Sequence, residues 1–181
     1  SDLITETQWD MIRSWQIIRL NRVNSSEAKA SSLEGVQYFT GLTVLDCAGN
    51  QLSTLDLSTL TKLTQLDCGR NRLTSLNVSQ NTQLKILACG ENAISSLDLR
   101  NNSALESIVC YSNPLGSLLL GEKSALTSLI CYDSRLRSLD LSAAPKLEIL
   151  LCSGNQLTSL DLSVNTALKS GSNDVYYGRQ K

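Results

Sequence analysis

The sequence predicts a solenoid of six stacked, flat coils with short parallel strands along one face. Three observations predict it. The cysteines fall at positions 47, 68, 89, 110, 131 and 152, so every interval is 21 residues. Aligned on them, the chain divides without insertion into units 42–62, 63–83, 84–104, 105–125, 126–146 and 147–167, each a variant of the pattern LxxLxCxxNxLxxLDLxxNxx. Positions 1, 4, 6, 11, 14 and 16 of the unit hold only Leu, Ile, Val or Cys in every copy. Self-similarity at a fixed short period marks a stacked-coil architecture. Leu supplies 34 of the 181 residues, as one packing solution used repeatedly would require.

Within a unit, positions 4 and 6 alternate around a variable position 5, which is strand periodicity, and positions 14 and 16 repeat the pattern. A 21-residue unit is too short for two helices and their turns. Each coil is therefore expected to hold a short strand near positions 3–7, a turn, and an extended or tightly turning segment near 14–16. One coil cannot bury its leucines alone, and stacking does so. At ~4.8 Å per strand, six coils give a sheet roughly 25–30 Å long. Position 9 is Asn50, Asn71, Asn92, Asn113, Ser134 and Asn155. An Asn there can bond backbone groups of its own turn and of the next coil, which buried backbone requires. Ser134 breaks the series, so its coil is expected to be less well tied.

The flanks differ from the repeats. Residues 1–41 are expected to form an N-terminal cap, with a capping box at Thr5 and Gln8 and an amphipathic helix over roughly 6–22 carrying Trp9, Met11, Ile12, Trp15, Ile18 and Leu20. The helix is expected to lie on the first coil; a membrane-surface helix, permitted by Arg13, Arg19 and Arg22, is the alternative. Residues 23–32 read as a polar connector. Residues 168–181 are read as a short C-terminal tail or cap, thin for the task, in which Val175, Tyr176 and Tyr177 are expected to cover the last coil; protection of that coil by self-association is the alternative.

Several chemistries lack support. There is no His, which removes the commonest general base and metal ligand, and there is no glycine-rich phosphate loop and no unique polar cluster, so no catalytic residue, cofactor or metal is expected and the chain is read as a non-enzyme. A net charge of −1 argues against a nucleic-acid partner. No apolar run reaches a membrane span, and no signal peptide is expected within the chain as given. The cysteines share one inward position, where bonds between in-register strands would strain the disulfide dihedral, so they are expected to be reduced core residues. Asp140 and Asp161 at position 15 are expected to cap turns; a weak cation site is the other reading.

Function in a repeat protein is sought where the units differ and face solvent. Positions 3, 5 and 7 alternate with the buried 4 and 6. In the last four coils they give a contiguous apolar surface of Ile86, Ala88, Val109, Tyr111, Ile130, Tyr132, Ile149 and Leu151, the candidate partner-binding residues. Tyr is favoured as an interface anchor. Arg70, Glu91, Glu106, Asp133, Arg135 and Glu148 would form a charged rim. The alternatives are a homodimer contact, a bed for residues 170–181, or a set of strand formers with no ligand. Leu119, in an irregular fourth coil, is a second candidate contact.

These units resemble bacterial leucine-rich repeats of the 21-residue class, with Cys in place of the usual strand leucine. The run Ser32-Leu-Glu-Gly-Val-Gln-Tyr-Phe-Thr-Gly-Leu42 resembles the lead-in to the first repeat of internalin-like surface proteins. The resemblance covers about 33–168. It implies a leucine-rich-repeat solenoid of the α/β type, a right-handed superhelix, used as a binding surface on a secreted or cell-surface protein. The reading is then a module that binds a protein, peptide or glycan through coils 3–6. The alternative is a structural spacer or self-associating domain, dimerising through the apolar sheet face or the C-terminal end.

Overall fold

In a computed structural model, residues 6–21, 28–169 and 175–176 are described. Helix α1 (Glu6–Ser14) is followed by strand β1 (Ile17–Arg19), a 3₁₀ turn (Val36–Tyr38), and then strands β2 (Val44–Asp46), β3 (Gln65–Asp67), β4 (Ile86–Ala88), β5 (Ser96–Asp98), β6 (Ser107–Val109), β7 (Ser117–Leu119), β8 (Ser128–Ile130), β9 (Ile149–Leu151) and β10 (Val175–Tyr176). One parallel sheet has the order β1-β2-β3-β4-β6-β8-β9-β10, and β5 pairs with β7 in a second sheet. The main strands occupy positions 3–5 of each coil, in register with a 21-residue step, as in Leu45↔Leu66↔Leu87 and Ile108↔Leu129↔Leu150. The architecture is the parallel-stranded solenoid that the period predicts.

The inward positions form one continuous core. Of the repeated apolar sites, all are buried except Leu55, Leu157, Leu160 and Leu162, which pack against the core while partly exposed. Three of these four lie in the sixth coil. Burying each aliphatic side chain stabilises by about 1.5–3 kcal/mol before chain entropy is subtracted. The six cysteines are reduced and buried. Burial pushes the Cys47 and Cys89 thiols up to about 12 and that of Cys152 to about 11, so they act as small neutral core groups at neutral pH.

Position 9 ties the coils together. Asn71 Nδ2 donates to the carbonyls of Cys47 (3.1 Å), Cys68 (3.0 Å) and Gly69 (3.1 Å), and its Oδ1 accepts from Leu52 N–H (3.0 Å). Asn92, Asn113 and Asn155 repeat this arrangement. The link runs to the preceding coil, not the following one as expected, because the turn after the strand places the amide against its predecessor. Ser134 makes only two such bonds, from Oγ to Cys110 (3.3 Å) and Tyr132 (3.1 Å). Coil 5 is therefore tied less well, as expected.

The N-terminal expectation needs correction. The helix ends at Ser14, not near 22, and the chain then enters β1. Met11 and Trp15 are half exposed rather than laid over the first coil, with the Trp15 ring 5.6 Å from that of Phe39. The side chains of Trp9 and Ile12 lie outside the described residues, as do Thr5, Arg22, residues 23–27 of the connector and Tyr177. The first coil is covered instead by a degenerate coil. Ile18 pairs with Leu45 and packs against the core. Leu20 N–H donates to the Asp46 carbonyl (2.6 Å), as Cys47 N–H does to Asp67 (2.8 Å). Asn50 Nδ2 donates to Leu20 O (2.7 Å) and its Oδ1 accepts from Ala30 N–H (2.9 Å), the same pattern as Asn71. Unpaired strand edges and open apolar ends are costly, and a strand meets both needs where a helix meets only the second. At the other end, Val175 and Tyr176 pair in parallel with Leu150 and Leu151 and extend the sheet by one strand.

Candidate binding face

All eight candidate residues lie on the outward face of the main sheet. Row 3 runs Ile17, Val44, Gln65, Ile86, Ser107, Ser128, Ile149, and row 5 runs Arg19, Asp46, Asp67, Ala88, Val109, Ile130, Leu151. Ile86 is 40% exposed; Ala88, Val109, Tyr111, Ile130, Tyr132, Ile149 and Leu151 are half-buried. The alternation that sends Leu87, Ile108, Leu129 and Leu150 inward sends these residues out.

Row 7 carries the strongest feature. The rings of Tyr111 and Tyr132 stack with centroids 4.6 Å apart and planes inclined by 15°. That separation is close to the ~4.8 Å step between strands. Tyr111 leans back over coil 3: a Cβ on Gly90 would stand 2.8 Å from its ring. Gly90 thus makes the place that Tyr111 occupies. The Tyr111 hydroxyl donates to Glu91 Oε1 (2.7 Å), which also accepts from Arg70 Nε (2.9 Å). The bond to Glu91 holds the Tyr111 phenol above its usual range, and bonds from Tyr111 and Arg70 hold Glu91 below its own. The aromatic pair is thereby fixed at its base and at one hydroxyl.

The charged rim divides. Glu106 pairs with Lys85 (3.2 Å), and Glu148 with Lys169, along position 2. Arg70 and Glu91 answer each other. The expected cap at position 15 is present: Asp140 Oδ1 accepts from Ser142 N–H (3.0 Å) and Oγ (2.7 Å), and Asp161 Oδ1 from Ser163 N–H (2.9 Å). At the other end of row 5, Asp46 and Asp67 are neighbours. Asp67 Oδ1 accepts from Gly69 N–H (3.0 Å), yet burial, with the Asp46 charge adding, raises its carboxyl above the ordinary range.

Sequence reasoning missed position 8. Gly49, Arg70, Glu91, Ser112, Asp133 and Gly154 all have positive φ, between 51° and 72°. Four non-glycine residues in this conformation each cost about 1 kcal/mol. The geometry turns their side chains along the edge of the face, which places Glu91 under Tyr111. Gly at 49 and 154, the same position in the first and last units, was the signal available. Also unforeseen was β1, which adds Ile17 and Arg19 to the face.

Hollows lined by described residues lie on the turn side. One of about 500 Å³ is lined by Ser75, Asn77, Ser96, Asp98, Arg100 and others on the turn side, where Arg100 and Asp98 are bonded to each other (2.8 Å). A continuous, gently relieved strip of sheet suits a macromolecular partner better than a small molecule.

A leucine-rich-repeat family model, two copies long, matches residues 40–81. The functional domain of InlJ from Listeria monocytogenes, which includes a cysteine ladder, superposes with a TM-score of 0.61 at 28% identity over 88% of this chain. A leucine-rich-repeat protein of Leptospira interrogans gives 0.76 at 25% identity over 92%. The chain has the leucine-rich-repeat solenoid fold. An internalin of Listeria monocytogenes, inlF, matches the fold at 0.76 and 20% identity over 96% of the chain. The chain spans 39%, 45% and 52% of the lengths of these three chains. No curated protein sequence matches it. Leucine-rich-repeat solenoids are in general protein-interaction scaffolds. Among the described residues no helix is long and apolar enough to cross a membrane.

Proposed function

We propose that this chain is a non-enzymatic binding module that holds a protein or peptide on the outward sheet face of coils 3–6, through Ile86, Ala88, Val109, Tyr111, Ile130, Tyr132, Ile149 and Leu151. One observation carries the reading: the Tyr111–Tyr132 stack, buttressed by Gly90 and Glu91, stands in the middle of a contiguous apolar strip. Exposed apolar strips with fixed aromatic anchors are what interfaces use. The binding mechanism is preorganisation: an in-register sheet offers the strip with little ordering cost on association. Likeness to Listeria and Leptospira proteins supports a secreted or surface-displayed bacterial setting.

The test compares immobilised wild type, Tyr111→Ser/Tyr132→Ser, and Ser75→Glu on the turn side, each first shown to keep its circular dichroism and monomer mass. A partner retained by wild type and Ser75→Glu and lost from the tyrosine variant supports the reading. Equal retention by all three refutes it and favours a spacer. A second reading, self-association, draws on the half-buried Leu157, Leu160 and Leu162 and the exposed Val164 of coil 6. Light-scattering mass at rising concentration separates it: a dimer that persists in the tyrosine variant places the contact at that end.

A further inference from the structure

Along row 7 the side chains run Gly90, Tyr111, Tyr132, Ser153, and each ring leans one coil toward the N-terminus. Gly90 receives Tyr111, and Tyr111 receives Tyr132. The next place in the stack, against the second face of Tyr132, would be filled by a ring from coil 6. Coil 6 supplies Ser153 there, and among the described residues Tyr111 alone stacks on Tyr132. Among the described residues the result is a step one ring thick, with Tyr132 as its wall and Ser153 at its foot, and with β10 paired to β9 on its far side. Ile130 and Leu151 flank it on row 5; Asp133, whose carboxylate lies where a Cβ on Gly154 would be, flanks it on the other side.

Charge on the same face points to the far end of the occupant. Asp67 lies between Asp46 and Ala88 on row 5. Among the described residues its carboxylate accepts only from the Gly69 backbone N–H, and the nearby Arg70 is held by Glu91 at 2.9 Å. Asp46, by contrast, has Arg19 beside it in β1 and accepts from Asn21 Nδ2. Asp67 is thus a partly desolvated carboxylate facing out that, among the described residues, is ion-paired with no cation; Arg70, which acts on it from nearby, is bonded to Glu91. From coil 2 to the step above coils 5–6 is three to four strand spacings, ~14–19 Å, which an extended chain at ~3.3 Å per residue spans in about four to six residues.

We propose, building on the interface reading above, that the face binds an extended peptide segment that lays an aromatic side chain on Tyr132 above Ser153 and sets a Lys or Arg, four to six residues away, against Asp67. The occupant is a peptide rather than a glycan because Ile130 and Leu151 beside the step offer nothing to the hydroxyls of a sugar ring, whereas they suit the Cβ side of an aromatic residue. Stacking supplies position, and the ion pair supplies direction and salt sensitivity.

The test uses fluorescein-labelled peptides with Lys and Trp separated by one to eight Ser residues, titrated by anisotropy. Binding is expected to peak at a separation of four to six residues. Ser153→Tyr fills the step with the ring the stack lacks and is expected to weaken binding at least tenfold, with melting temperature unchanged or raised; Ser153→Ala leaves binding unchanged. Asp67→Asn, which keeps the acceptor for Gly69, is expected to weaken binding several-fold and flatten its dependence on salt. Binding indifferent to spacing or to Ser153→Tyr overturns the proposal, as does displacement of the peptide by chitin oligosaccharide with equal sensitivity to Ser153→Tyr. If Tyr111→Ser/Tyr132→Ser loses the natural partner while Ser153→Tyr keeps it, the interface reading stands and this one falls.

Discussion

Coils 3 and 4 are adjacent, equal in length and paired along both of their strands, yet they close by different chemistry. In coil 3, Asp98 Oδ1 accepts from the backbone N–H of Arg100 (3.1 Å), and Asn102 N–H donates to Leu99 O (2.9 Å). Asn102 Nδ2 then donates to Val78 O and Asn81 O, both at 2.9 Å. In coil 4 the three corresponding residues are Leu119, Gly121 and Lys123. Leu119 offers no side-chain acceptor, and the chain turns at Gly121 with φ 66°. Lys123 N–H donates forward to Ala143 O (3.1 Å), which leaves the Leu120 carbonyl open. Lys123 Nζ takes it (2.6 Å), together with the carbonyls of Leu99 and Glu122, both at 3.0 Å.

The difference teaches what this site demands. It presents carbonyls and little else. An Asn uses its amide nitrogen there and leaves Oδ1 without a partner, as at Asn81, Asn102 and Asn165. An ammonium is all donor, so Lys123 fits although it is fully buried and desolvation lowers its pKa. The three substitutions in coil 4 are one alternative turn, in which each change makes sense only with the other two.

The comparison can be broken hardest at Lys123. Lys123→Ala removes three hydrogen bonds, leaves the buried Leu120 carbonyl unpaired beside a cavity, and is expected to cost about 2–4 kcal/mol in urea denaturation. Leu119→Asp/Gly121→Ser/Lys123→Asn, which installs the residue types of the common turn, is expected to recover most of that loss, with a coupling of about 1–2 kcal/mol relative to the single changes. Additive effects would mean the three positions are independent. A smaller effect is expected at Gly121: Gly121→Ala forces Ala into the left-handed region, with its Cβ 3.0 Å from Arg100 Cα. It should cost about 1–2 kcal/mol. Gly116→Ala in the same coil, where a Cβ meets only Ser95 O at 3.6 Å, should cost none. The smallest effect sharpens the comparison by extension to coil 5. Ser134→Asn restores an amide that can accept from Leu115 N–H as Asn71 does from Leu52, and is expected to stabilise by about 1 kcal/mol, read as a rise in the urea midpoint.

Much of this was legible before any coordinates. The 21-residue step, the inward set from Leu42 to Cys152, the Asn row and the outward placement of Ile86 through Leu151 all follow from which residues repeat and with what alternation. The helix boundary was misjudged because Ile17-Ile18-Arg19 also fits a helical stripe, and only pairing with Val44–Asp46 selects the strand. The degenerate coil was hidden because ten residues separate Leu20 from Ala30 where five separate Cys47 from Leu52. That insertion breaks the period while the hydrogen bonds to Asn50 keep it.

By itself, then, the sequence determined the direction of each side chain, because burial in a stack of equal coils depends on local alternation alone. Tertiary structure decided the partner of each polar group. The bonds of Asn71, Lys123 and Tyr111 reach about one coil along the chain, and a residue that far away in sequence becomes a neighbour only when the coils stack. The lean of Tyr111 over Gly90, the left-handed turn at Glu91 and the step beside Tyr132 belong to that second kind of information.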